Sequence, residues 1–96
     1  MLFTLANSPQ SCDLTALLRL VGPQDALLLM QDGVLAAVQN SEAGVRLAAL
    51  GLPVYVLSED LAARGLVGQI SHNATLIDYT GFVALTEKHP QHMAWR

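Results

Sequence analysis

Apolar residues fall in short bursts separated by Gly, Pro and Asp. Residues 1–5 form an apolar segment of strand length. Ser8-Pro9 then reads as a helix start, with Ser as cap and Pro at the first helical position. Leu14, Leu17, Leu18 and Val21 follow at the 3.6-residue period of one buried helix face, and Gly22-Pro23 ends it. Residues 26–30 are a continuous apolar run between breakers, the signature of a parallel strand covered on both faces. Asp32-Gly33 reads as a plain turn that opens an apolar helical turn at 34–38. Residues 42–50 form a further helical piece, weakened by Gly44 and ended by Gly51.

Val54–Leu57 is β-branched and aromatic and is entered through Pro53, which makes it the clearest strand. Ser58 offers an N-cap to the next helix. Glu59 and Asp60 lie in its first turn, Arg64 in its last and Gly65 beyond, each placed to complement the helix dipole. Residues 74–77 predict a short strand. Asp78 caps a helix over 79–89 whose Phe82, Val83 and Leu85 face inward, and Pro90 stops it. Residues 91–96 read as a tail. Strand and helix thus alternate along one domain spanning 1–96. That order predicts an α/β fold, a three-layer α/β/α sandwich with a small parallel sheet of four to five strands. The weak candidate for the fifth strand is 68–71.

Composition narrows the function classes. The chain is 52% hydrophobic and only 14% charged, with a formal net charge of −3. So few charges should leave apolar residues facing out, which suits a protomer of an assembly better than a free monomer. Its five basic residues, Arg19, Arg46, Arg64, Lys88 and Arg96, are scattered and form no stripe for a phosphate backbone, so direct nucleic-acid binding is not expected. Apolar runs stop at five residues, far short of the roughly 20 a membrane helix needs, and no basic leader precedes them. The single cysteine excludes an internal disulfide, and the expected compartment is the cytosol.

In a parallel sheet, ligands bind beyond the carboxyl ends of the strands. The loops expected there are 7–11, 31–33, 58–60 and the one after Ile77. None carries a Gly-rich phosphate fingerprint. Cys12 lies near the expected helix start, where the dipole favours thiolate, while the adjacent Asp13 opposes it. An incidental thiol and a reactive one both fit that position. His72, His89 and His92 do not assemble a zinc set, because Pro90 separates two of them and one distant thiol cannot complete it. Asp25 and Asp32 bracket a strand without forming a catalytic pair. Ser8, Ser11, Ser41, Ser58 and Ser71 lack the strand–turn–helix setting of a nucleophile. Neither a metal nor a cofactor is expected. By fold analogy alone, a flavodoxin-like binder of a small anion stays open.

Several segments in order nevertheless form a pattern. They are Met1-Leu2 with Ser8-Pro9, then 25–34 (DALLLMQDGV), 54–66 (VYVLSEDLAARGL), 68–71 (GQIS), 77–80 (IDYT), and the ending from His89-Pro90 to Met93-Ala94-Trp95. Together they resemble the DsrH family of the DsrE/DsrF/DsrH superfamily over the full length. The resemblance implies a small α/β/α fold and a noncatalytic subunit of a sulfur-relay complex. Its implied partners are TusC-like and TusD-like subunits, arranged as a dimer of heterotrimers. Such a complex takes persulfide sulfur from TusA and passes it, with TusE, toward a tRNA thiouridylase that makes 2-thiouridine at the wobble position. The sulfur-bearing cysteine is expected on the TusD-like partner. DsrH proteins of sulfur oxidisers carry a cysteine in the first helix, where this chain reads Leu17-Leu18-Arg19-Leu20. Cys12 matches no such position, so a structural subunit is favoured and a direct sulfur acceptor at Cys12 is the alternative. By position, the expected contact regions are Gln31, Asp32, Gly33 and Val34, together with Trp95.

Overall fold

The computed structural model describes residues 1–10, 13–22, 24–39, 41–49, 51, 53–70 and 74–95. Five strands form one sheet: β1 (Leu2–Leu5), β2 (Ala26–Leu29), β3 (Val54–Leu57), β4 (Ala74–Ile77) and β5 (His92–Trp95). Their spatial order is β4-β3-β2-β1-β5, and every neighbouring pair is parallel. The α-helices are α1 (Leu14–Leu20), α2 (Glu42–Ala48), α3 (Ser58–Ala63) and α4 (Tyr79–Lys88). Two 3-10 segments, Gln31–Ala37 and Val67–Gln69, complete the chain. The expected α/β fold with a parallel sheet and helices on both faces is what the chain adopts.

Strand alternation divides the core between the two faces. Phe3 and Leu5, Leu27 and Leu29, and Val54 and Val56 meet Leu14 and Leu17 of α1, Val34, Ala36 and Ala37 of the long 3-10 segment, Ala43 and Leu47 of α2, and Leu61 of α3. On the other face Leu2, Ala26 and Leu28 meet Leu85, with Phe82, Tyr55 and Ile77 packed around them. One face is therefore covered by four segments and the other by α4. The central β2 is buried at all four positions, which accounts for its unbroken apolar run.

Several local expectations need correcting. Helix α1 starts at Leu14 and not after Ser8, because the Asp13 carboxylate accepts the Ala16 N–H at 3.0 Å and supplies the cap. Ser8 instead closes a turn, its Oγ accepting the Gln10 N–H at 3.3 Å. Ser58 is the first residue of α3 and not its cap; that position is Leu57, which makes no side-chain capping bond. Of the 34–38 stretch, 34–37 is the end of a 3-10 segment already begun at Gln31, and Val38 is its extended cap. Helix α2 stops at Ala48, and Gly51 beyond it is left-handed at φ 71°. Val83 points outward, 49% exposed, because α4 needs only Phe82 and Leu85 to reach the sheet.

The fifth strand is also not where the sequence placed it. Residues 67–69 form a 3-10 turn, and Ile70 makes a single antiparallel bridge to Val38. Ser71 lies outside the described residues. The strand comes from the expected tail: His92–Trp95 pairs with β1 from Leu2↔His92 to Leu5↔Trp95.

Candidate functional site

A parallel sheet collects all its strand-to-helix loops at one edge, so the segments after β1, β2, β3 and β4 emerge side by side. Residues Gln31, Asp32, Asp60, Arg64, Glu59 and Tyr79 come together there. The Asp60 carboxylate accepts the Gln31 N–H at 2.6 Å. Asp32 Oδ1 takes two bonds from the Arg64 guanidinium, at 2.8 and 3.2 Å. Arg64 also donates to the Asp60 carbonyl at 3.1 Å. Glu59 Oε2 accepts the Tyr79 N–H at 3.2 Å, and Asp78 Oδ1 accepts the Gly81 N–H at 2.8 Å as the cap of α4.

The acids of the first α3 turn therefore do more than complement a dipole. Asp60 ties α3 to the loop after β2, and Glu59 ties it to the start of α4. Sequence spacing does not reveal these bonds, since each partner is a backbone amide at least 20 residues away. The available signal was the run Ser58-Glu59-Asp60 directly at a strand's carboxyl end.

Gln31 has φ 51°, the left-handed region that residues with a side chain rarely occupy. Its side chain and that of Asp32 are exposed, whereas Gly33 and Val34 are buried. A Cβ at Gly33 would collide with the Leu5 carbonyl oxygen, so this position accepts only glycine. Trp95 pairs with Leu5, the residue that Gly33 lies against. Its indole packs half-buried against the α1 side of the core, and Nε1 donates to the Asp13 carbonyl at 3.1 Å.

The loop after β1 borders a cleft of about 320 Å³ lined by Ser8, Pro9, Gln10, Leu14, Leu35 and the first turns of α2. Arg46 reaches across from α2 to the Thr15 hydroxyl at 2.7 Å. At the opposite edge of the sheet, Asp25 Oδ1 lies 3.0 Å from the Met1 amino group and Oδ2 accepts the Gly22 N–H at 2.8 Å. The Gly22 amide first, and then the amino group, hold the Asp25 carboxyl below its ordinary range, against the opposing effect of burial.

Cys12, His72, Ser11 and Ser71 lie outside the described residues. His92 Nε2 is 3.3 Å from the Thr86 carbonyl oxygen and is exposed. Among the described residues no group of three His, Cys, Asp or Glu side chains is placed to hold a metal, and no helix is long and apolar enough to cross a membrane. The acids described at the loop edge each engage a backbone amide or Arg64. The arrangement is thus suited to fixing a surface.

The family model described as DsrH like protein matches residues 7–92. The chain is 55% identical over 95 residues to Protein TusB of Yersinia pestis (strain Pestoides F), covering 99% of this chain and 100% of that one. Protein TusB of Yersinia pseudotuberculosis serotype O:1b (strain IP 31758) matches with the same identity and coverage. Among solved structures, the ychN protein from E. coli superposes with a TM-score of 0.78 at 18% identity, covering 98% of this chain and 97% of that one. MTH1491 from Methanobacterium thermoautotrophicum, described as a protein of unknown function, gives 0.74 at 15% identity over 97% and 96%. Those two likenesses concern the fold alone.

Proposed function

The chain belongs to the DsrH family, and from that premise we propose that it is a noncatalytic subunit of a sulfur-relay complex serving tRNA modification. The observation that carries this reading is the 55% identity to Protein TusB across essentially the whole of both chains. In this reading the subunit packs with TusC-like and TusD-like partners as a dimer of heterotrimers in the cytosol. The complex takes persulfide sulfur from a TusA-like donor and passes it, with a TusE-like carrier, toward the thiouridylase of the tRNA wobble position. The sulfur travels on a cysteine of the TusD-like partner.

Two features of this chain support the structural role. The first helix has no thiol between Leu14 and Leu20. The described acids at the loop edge are engaged in backbone and ion-pair contacts, which leaves no nucleophile-and-base pair among them. The contact region centres on Gln31 and Asp32, which are exposed. Gly33 and Val34 beneath them fix the loop, and Trp95 adds the open side of its ring.

Co-purification from the native host, with mass determination of the intact complex, tests the assembly. A mass matching two copies each of three small related subunits is expected. A stable soluble monomer that ignores both partners overturns the proposal. The acceptor alternative is separated by Cys12→Ser in a strain that depends on this protein. Normal 2-thiouridine content is expected; lost thiolation with assembly intact transfers the sulfur-bearing role to Cys12.

A further inference from the structure

The segment 31–39 crosses the core between β2 and α2 in an unusual conformation. Seven residues are taken up by 3-10 turns, whereas runs beyond about four are uncommon because the hydrogen-bond geometry is poor. The segment starts from Gln31 in the left-handed region, a strained setting for a residue with a Cβ. Beside it, Ala36, Ala37, Gly44, Leu47, Ala48, Val54 and Ala74 line a small half-open dip. The inner side chains of the segment are short but fully buried: Val34, Ala36 and Ala37 belong to the same core cluster as the inner residues of the sheet.

Polar bonds grip the segment at both ends, and both sets lead to the same stretch of chain. At the start, Asp60 takes the Gln31 N–H and Arg64 pairs with Asp32. At the far end, the Gln39 N–H donates to the Gln69 carbonyl at 2.6 Å, and Val38 bridges Ile70. Between these anchors the 60–70 stretch turns twice, through Gly65 at φ 68° and through the 67–69 turn.

We infer that residues 31–39 form a latched strap, a unit that opens against residues 60–70 independently of the sheet, with Asp60 as its latch. Local openings of this kind occur in contiguous units that lie well below the global stability. The strain at Gln31 works against the latch, and the buried Val34 and Ala36 work with it. The strap ties the exposed Gln31 and Asp32 to the turn at 66–70, so a change at one end reaches the other.

Amide hydrogen exchange on the full chain, purified with whatever partners accompany it, tests this. Asp60→Ala is expected to speed exchange about five- to tenfold, the effect of losing a partly exposed charge-assisted hydrogen bond. The faster amides are those of 33–39 and also those of 66–70, while the amides of β1, β2 and β3 keep their rates. Gln31→Asn is expected to slow the same set, since Asn accepts left-handed backbone more readily. A parallel rise in the sheet amides overturns the inference, as does a change confined to Gln31 with the far end unmoved. Should Asp60→Ala fail to fold, Gln31→Asn decides alone: unchanged strap exchange in that variant also overturns it.

Discussion

The α-carbon of Gly33 lies against the main-chain carbonyl of Leu5 so closely that no side chain fits between them. The contact joins the first residues after β2 to the end of β1, and it sets the path on which Val34, Ala36 and Ala37 enter the core. Gly33→Ala forces the strap outward or the strand inward. Neither shift is small in a close-packed interior, and a loss of about 3 kcal/mol is expected, the upper range for overpacking. Urea unfolding followed by circular dichroism measures it; a stability unchanged from wild type contradicts the contact.

Asp25 predicts a pH effect. Its carboxyl is held below the ordinary value of 3.8, chiefly by the Gly22 N–H and then by the Met1 amino group. A depressed folded-state pKa gives a contribution that is complete above that ordinary value and is lost as pH falls through the folded one. Asp25→Asn is therefore expected to be less stable than wild type by about 1 kcal/mol at neutral pH, the size of one lost charge-assisted bond at a partly exposed site. The two proteins should converge as pH falls below that of the titration. A gap that stays constant down to strongly acid conditions means that charge at Asp25 is irrelevant.

Trp95 separates packing from hydrogen bonding. Trp95→Phe keeps most of the ring contact and removes the bond to the Asp13 carbonyl, which still accepts the Leu17 N–H at 3.2 Å. The expected cost is about 0.5 to 1 kcal/mol. Trp95→Ala also removes the ring and should cost about 2 to 3 kcal/mol, the lower part of the range for aromatic truncation because the ring is half-buried. Equal losses in the two variants assign the whole effect to the hydrogen bond and refute the packing role.

Asp32 offers a test of surface against stability. Its side chain is 65% exposed and pairs with Arg64, a setting in which ion pairs contribute about 1 kcal/mol or less. Asp32→Asn should leave the melting temperature nearly unchanged while reducing recovery of the partner subunits. Full recovery moves the contact region away from this loop.

The strands with local punctuation were legible in the sequence. Pro53 and the β-branched Val54 and Val56 marked β3, and Gly22 and Asp32-Gly33 bounded β2. Asp78 declared itself as a cap because the bond it makes is local, three residues away. Ser8-Pro9 misled because two residues can satisfy a capping rule in a loop as well as in a helix; Asp13, three residues before Ala16, had the same credentials. Strand β5 was invisible for a different reason. His-Met-Ala-Trp has no β-branched residue, and what makes it a strand is the ladder offered by β1. The Asp60 latch and the Gly33–Leu5 contact are likewise tertiary, so a strong helix signal and a plain turn signal concealed them.

The pairing of Leu2 with His92 also bears on the order in which the molecule can be assembled. Strand β1 emerges from the ribosome first, yet one of its two ladders waits until residue 95 has cleared the exit tunnel. Through most of synthesis β1 can pair only with β2, leaving a row of unpaired amides and carbonyls beside Phe3 and Leu5. A nascent chain stalled before His92 carries that border unpaired, with Phe3 and Leu5 beside it.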